Sequence, residues 1–279
     1  MQFPIILKKL FRRRIVLLAA IVLVIVVVVA ALANVVTAYD PNDTAVSERL
    51  SAPTSSHWLG TDELGRDLLS RIAFGGRYSL TIAALTAIGS IIFGTVFGLV
   101  AGFFRRLDTP IMRLVDAMMS FPDILLAIAL VAILRPSMLN VVLALVLVYT
   151  PRVARVVRAS TLVVRELLFI EAARAVGVST ARILWRHVLP SLMSPILVQA
   201  SFIFAYAILA EAALSFLGVG VPPEIPTWGT MVAGSQQYAH KALWIVMFPG
   251  IAIILTALSL QLLGDGVRDL LDPRLKKSM

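Results

Sequence analysis

The chain contains no cysteine, which excludes disulfides, thiolate nucleophiles and cysteine-ligated zinc or iron–sulfur centres, and leaves the redox compartment undetermined. Charge is scarce, at 15% of 279 residues. Only five lysines occur, at positions 8, 9, 241, 276 and 277, and none completes a phosphate-cradling G-x-x-x-x-G-K-[ST] loop. The three histidines, His57, His187 and His240, are far apart in sequence, with no H-E-x-x-H and no G-x-S-x-G elbow. These absences disfavour a metalloprotease or a serine hydrolase. If this chain moves solute with ATP, the hydrolysis belongs to another polypeptide.

What the sequence has in abundance is apolar length. It is 59% hydrophobic with a mean hydropathy of +0.92, more apolar surface than a soluble core of this size can hide. A spanning helix needs about 20 mostly apolar residues. Such runs occur at Ile15–Thr37, Ser79–Phe104, Ala117–Leu134, Pro136–Pro151 with its continuation, Val188–Ala210 extending to Gly220, and Ala242–Gly264. The fold class is therefore an all-α membrane protein with six spans, which puts both termini on one side.

Basic residues choose the side. With the N-terminus inside, Lys8, Lys9, Arg12, Arg13, Arg14, Arg105, Arg106, Arg113, the seven arginines from Arg152 to Arg186, Arg268, Arg274, Lys276 and Lys277 are cytoplasmic. Six remain outside: Arg49, Arg66, Arg71, Arg77, Arg135 and Lys241. The positive-inside rule selects this N-in, C-in orientation, and the net charge of +9 reads as topology, with no nucleic acid as partner. The first apolar run exceeds the roughly 7–15 residues of a signal h-region and reads as a retained anchor. Residues 1–78 form a tail, a first span and an outer loop; residues 79–279 form the core membrane domain, with a cytoplasmic loop at 158–190.

That loop carries the most information. Glu171-Ala-Ala-Arg-Ala-Val-Gly177 favours a short helix through Ala172, Ala173 and Ala175, and Gly177 suits its end. A second helix leads through Ser179, Ile183, Trp185 and His187 to Leu189-Pro190, where proline marks a break before the next span. Alanine faces permit close approach of another protein, with Glu171 and Arg174 at the rim. Arg174, Arg182 and Arg186 would equally hold an amphipathic helix on anionic lipid. Composition leaves both readings standing.

The spacing of Glu171, Ala172, Ala173 and Gly177, followed by Leu189 and Pro190, resembles the EAA loop of ABC importer permeases. His187 replaces the isoleucine usual in that pattern, as in the peptide-importing branch. Further stretches resemble the second permease subunit of dipeptide, oligopeptide and nickel importers: the fifteen residues from His57 to Arg71, Ser120-Phe-Pro-Asp123, Ala210–Gly220, Pro226-Thr-Trp-Gly229 and Gly264–Arg274. Gln261 departs from the usual asparagine. The resemblance implies a type I importer permease fold in the bacterial inner membrane. It also implies a homologous permease partner, two ATPase subunits that hold ATP and Mg, and an external solute-binding protein, with no cofactor on this chain. Glu171, Ala172, Ala173, Arg174, Gly177, His187, Leu189 and Pro190 are then the ATPase-docking residues.

Other residues divide between architecture and function. Gly94, Gly98 and Gly102 form successive G-x-x-x-G steps suited to close helix packing. Asp123 and Glu211, the acids within the expected spans, are candidates for the solute path or a gate, together with Ser215, or are structural carboxylates. The stiff outer loop with Pro222, Pro223, Pro226 and Trp228 either faces a binding protein or anchors at the interface. Asp62/Arg66 and Asp67/Arg71 at i,i+4 describe an interfacial helix leading inward. Arg152, Arg155 and Arg158 read as headgroup or loop contacts, and Asp269, Asp272 and Arg274 as a helix end or an ATPase brace. Dipeptides, longer peptides, glutathione-like thiols, nickel chelates and antimicrobial peptides all remain open as solutes. An ion-coupled carrier or channel, and a membrane scaffold, are the rivals from other classes.

Overall fold

The computed structural model describes residues 13–271; Lys8, Lys9, Arg12, Asp272, Arg274, Lys276 and Lys277 lie outside the described residues. The long helices are α1 (Arg14–Ala31), α2 (Leu68–Phe103), α3 (Arg105–Met119), α4 (Asp123–Leu134), α5 (Met138–Val164), α6 (Leu168–Ala175), α7 (Met193–Phe216), α8 (Trp228–Ser235) and α9 (Trp244–Leu271). Of these, α1, α2, α5, α7 and α9 are each long and apolar enough to cross a membrane.

Helix α2 packs most extensively on α5, and the reason is legible in its glycines. A Cβ on Gly94 would stand 2.5 Å from Val153 Cβ, on Gly98 2.6 Å from the Ala154 carbonyl oxygen, and on Gly102 2.6 Å from Thr161 Cβ. Without side chains there, the two backbones approach to a distance that lipid cannot fill. Helix α7 rests on α2 and α9, and α1 lies against α9 and α2. Arg77 ties α1 in place: its Nε donates to the Ala30 carbonyl at 2.6 Å and its Nη2 to the Ala31 carbonyl at 2.8 Å. Both carbonyls lie at the end of α1, where backbone donors run short.

The third expected span is broken. Ala117–Leu134 read as one apolar run, but α3 and α4 meet at 90° across Ser120–Pro122. Pro122 takes φ −57° and ψ 131°, and a residue preceding proline is pushed from helical backbone. Helix α4 alone, at 12 residues, reaches about 18 Å, roughly half of a bilayer.

The expected interfacial helix at 62–72 is also corrected. Residues 62–66 form a turn with Gly65 at φ +77°, and α2 begins at Leu68 with Asp67 as its cap, accepting the Ser70 N–H at 2.8 Å. Asp62 does meet Arg66 at 2.6 Å, but Arg71 reaches Asp62 at 3.3 Å and not Asp67. Asp67 instead holds His57, Nδ1 to Oδ1 at 2.8 Å, while His57 Nε2 meets Glu48 at 3.0 Å.

Candidate functional site

The loop after α5 folds as a hairpin. Helix α6 ends at Ala175, and Gly177 at φ +77° supplies the left-handed turn that closes it. The Gly177 N–H donates to the Arg174 carbonyl and the Val178 N–H to the Ala173 carbonyl, both at 3.0 Å. This crossed pair satisfies carbonyls that the helix end leaves open. The second arm runs from Thr180 to Ser191 with a π-helical turn at Leu184–Val188. Pro190 lies in the short helical stretch Leu189–Ser191, where the wider turn before it accommodates the missing N–H, and the expected break before the next span follows at Leu192.

Two sets of contacts fix the hairpin. Ile170, Ile183 and Val188 are fully buried between its arms and the bundle, and the Phe169 and His187 rings face each other at 6.3 Å. Arg165 Nη1 donates to the Gly102 carbonyl at 2.6 Å, and the Arg174 guanidinium stands 5.0 Å over the Phe103 ring. Ala173, His187 and Leu189 are half-buried, turned toward the protein itself. Glu171, Ala172, Arg174, Gly177 and Pro190 are exposed. Beside them stand Leu168, Val176 and Trp185 at 81%, 79% and 73% exposure. Among the described residues, no atom beyond its chain neighbours lies within 4 Å of where a Gly177 Cβ would point. Apolar side chains presented so fully on an ordered hairpin make it a candidate contact surface.

Above the hairpin, three arginines of α5 bind three acids of the bent pair. Arg152 meets Asp123 at 2.8 Å, Arg155 meets Asp116 at 2.6 Å, and Arg158 Nη2 meets Asp108 at 2.7 Å. Their expected role as headgroup or loop contacts is corrected to a ladder joining α5 to α3 and α4. Sequence reasoning missed it because the partners are 29 to 50 positions apart.

Glu211 and Ser215 are both buried, with Ser215 at the edge of a cavity beneath the outer segment. Glu211 is fully buried and accepts hydrogen bonds from Ser215 Oγ at 2.9 Å and Thr227 Oγ1 at 2.7 Å. Thr227 in turn caps α8. The carboxylate thereby fastens α7 to α8, and Gly229 permits the approach. Trp228 is buried as well, its Nε1 donating to the Ile72 carbonyl at 3.0 Å. With Pro226 also buried and Pro222 half-buried, the loop offers an outside partner only Pro223 among the four residues expected there. Asp123 alone of the acid candidates is open, as the first residue of α4. Asp269 pairs with Arg13.

Residues 94–277 match the family described as the binding-protein-dependent transport system inner membrane component. The chain belongs to this family. Residues 2–53 match the N-terminal transmembrane domain of oligopeptide transport permease C. Among relatives of this permease is a putative peptide transport system permease protein of Brucella suis, 50% identical over 245 residues, covering 88% of this chain and 83% of that protein. A dipeptide transport system permease protein of Alkalihalophilus pseudofirmus is 45% identical over 245 residues, covering 88% and 81%. A glutathione transport system permease protein of Pectobacterium atrosepticum is 44% identical over 246 residues, covering 88% and 82%. A solved inward-facing chain of the MetNI methionine ABC transporter shares the fold at a TM-score of 0.61 and 17% identity, over 72% of this chain and 97% of that one. The permease is thus a multi-pass inner-membrane protein with the type I ABC importer fold.

Proposed function

We propose that this permease forms half of a path for di- and oligopeptides, beside a homologous permease subunit, and that the α6 hairpin is the grip of a separate ATPase subunit. ATP and Mg are held by two such ATPases, and an external binding protein delivers the solute. The peptide class is supported by the names of the Brucella and Alkalihalophilus relatives. The hairpin itself carries the docking reading. Its crest of Leu168, Val176 and Trp185 is exposed although the backbone beneath is closed by its own cap. The rigid crest transmits force to α5, which it follows directly in the chain, and through the arginine ladder to α3 and α4.

The test is uptake by the assembled transporter in proteoliposomes. Wild type takes up dialanine with ATP. Gly177→Asp strains the left-handed turn and sets a carboxylate on the contact face, while Glu171→Arg reverses its charge. Each is expected to remain in the membrane while uptake falls by at least about tenfold, a loss of roughly 1.4 kcal/mol in coupling. Unchanged uptake at equal protein level would end the docking assignment.

A further inference from the structure

We propose that the cavity between α4, α5 and α7 is a peptide site within the membrane, in which Arg152 takes the carboxylate and Asp123 the amine of a zwitterionic peptide. The inference rests on the reading of the chain as a peptide permease. It begins with depth. With Leu134 set at the outer edge of a hydrocarbon layer of about 30 Å, the 12 residues of α4 put Asp123 about 18 Å in, near its middle. Arg152, expected on the cytoplasmic side from its charge, lies instead about 21 Å along α5 from Met138, at nearly the same level as Asp123. Charged side chains at this depth are costly against lipid, and they belong where water or a polar ligand reaches them. Both are open: the Arg152 and Asp123 side chains are 36% and 46% exposed.

A cavity of about 260 Å³ is lined by Asp123, Ile124, Leu145, Tyr149, Tyr206 and Leu209, and Arg152 stands at its edge over the two tyrosine rings. That volume is just below the roughly 300–1,000 Å³ of small-molecule sites, which suits a short peptide. The Arg152 guanidinium stands 5.1 Å over the Tyr206 ring and 5.9 Å over the Tyr149 ring, and the two rings stack at 6.5 Å. Among the described residues a single hydrogen bond joins Arg152 to Asp123, Nη2 to Oδ2 at 2.8 Å. The remaining guanidinium donors and the second carboxylate oxygen are available to a ligand. The other two rungs, Arg155–Asp116 and Arg158–Asp108, already tie α3 to α5. Paired opposite charges read the two termini common to all free peptides. Aromatic and aliphatic walls accept side chains that vary.

The absence of cysteine allows a direct test in the assembled transporter, with dialanine as the probe. Leu209→Cys places a single reporter of this chain on the cavity wall, and its modification by a charged, membrane-impermeant methanethiosulfonate reagent is followed on the separated subunit. Modification from water is expected, and dialanine delivered by the binding protein is expected to slow it by about tenfold. In the Arg152→Gln, Asp123→Asn background that protection is expected to be lost. Should that pair of changes prevent assembly, Arg152→Lys decides, because it keeps the charge but not the planar fork and is expected to weaken protection. A reporter sealed from water in every state, or protection unchanged in the variants, overturns the site. Wild-type transporter that takes up no dipeptide from a mixed pool fails the peptide reading itself, and this site with it. Intact wild-type uptake with unchanged protection in the variants fails the site alone.

Discussion

His57 shows how much a single side chain does in the outer segment. Asp67, which also caps α2, raises its pKa through a hydrogen bond; burial opposes this, and Glu48 adds a second hydrogen bond in the raising direction. A histidine whose folded pKa is raised contributes stability that is fully present below its ordinary value of about 6.5 and is lost as pH rises through the folded value. The outer segment is therefore expected to loosen on going from mildly acidic to alkaline pH. His57→Gln is expected to flatten that dependence in a thermal-unfolding series. Glu211 acts differently, since it serves buried hydroxyls and not a charge. Glu211→Ala strands Ser215 and Thr227 and opens a gap, at a cost of about 2–4 kcal/mol, and Glu211→Gln, which retains an acceptor, costs less. Chemical unfolding in detergent measures both. Neither partner set was legible beforehand: the i,i+4 reading paired Asp67 with Arg71 by assuming a helix through Gly65, where the chain turns.

Among the elements, the α2–α5 pair is the rigid spine, and its tolerance is narrow. Gly98→Val is expected to force the helices apart at Ala154 and Val157, with an overpacking penalty of about 1–3 kcal/mol and a lower melting temperature. An exposed control such as Ile88→Val should leave the melting temperature nearly unchanged. The glycine spacing was plain in the sequence because small residues every fourth position have one obvious use between helices. The bend between α3 and α4 was not, since hydropathy counts apolar residues without direction, and one proline sufficed to turn Ala117–Leu134 into two helices. Trp228 misled for a related reason: an aromatic residue in an outer loop suggests an interface, yet capping by Thr227 and the space left by Gly76 draw it inside.

At the scale of the whole molecule, the account is one of transmission. The spans and the hairpin could be read from apolar length, arginine placement and the Glu171–Pro190 spacing. The ladder that connects them could not, because its partners come from separate helices. Replacing Arg155 and Arg158 together by Gln removes two rungs without touching the hairpin crest. Such a variant is expected to hold its ATPase on purification while uptake falls by about tenfold or more. The central claim is that an external motor turns these helices through the α6 hairpin. A density map of the assembled transporter, with and without nucleotide, tests it most directly. Leu168, Val176 and Trp185 are predicted to be covered by the ATPase subunit in both states and to move with it; a hairpin bare of any other polypeptide in both would contradict the account.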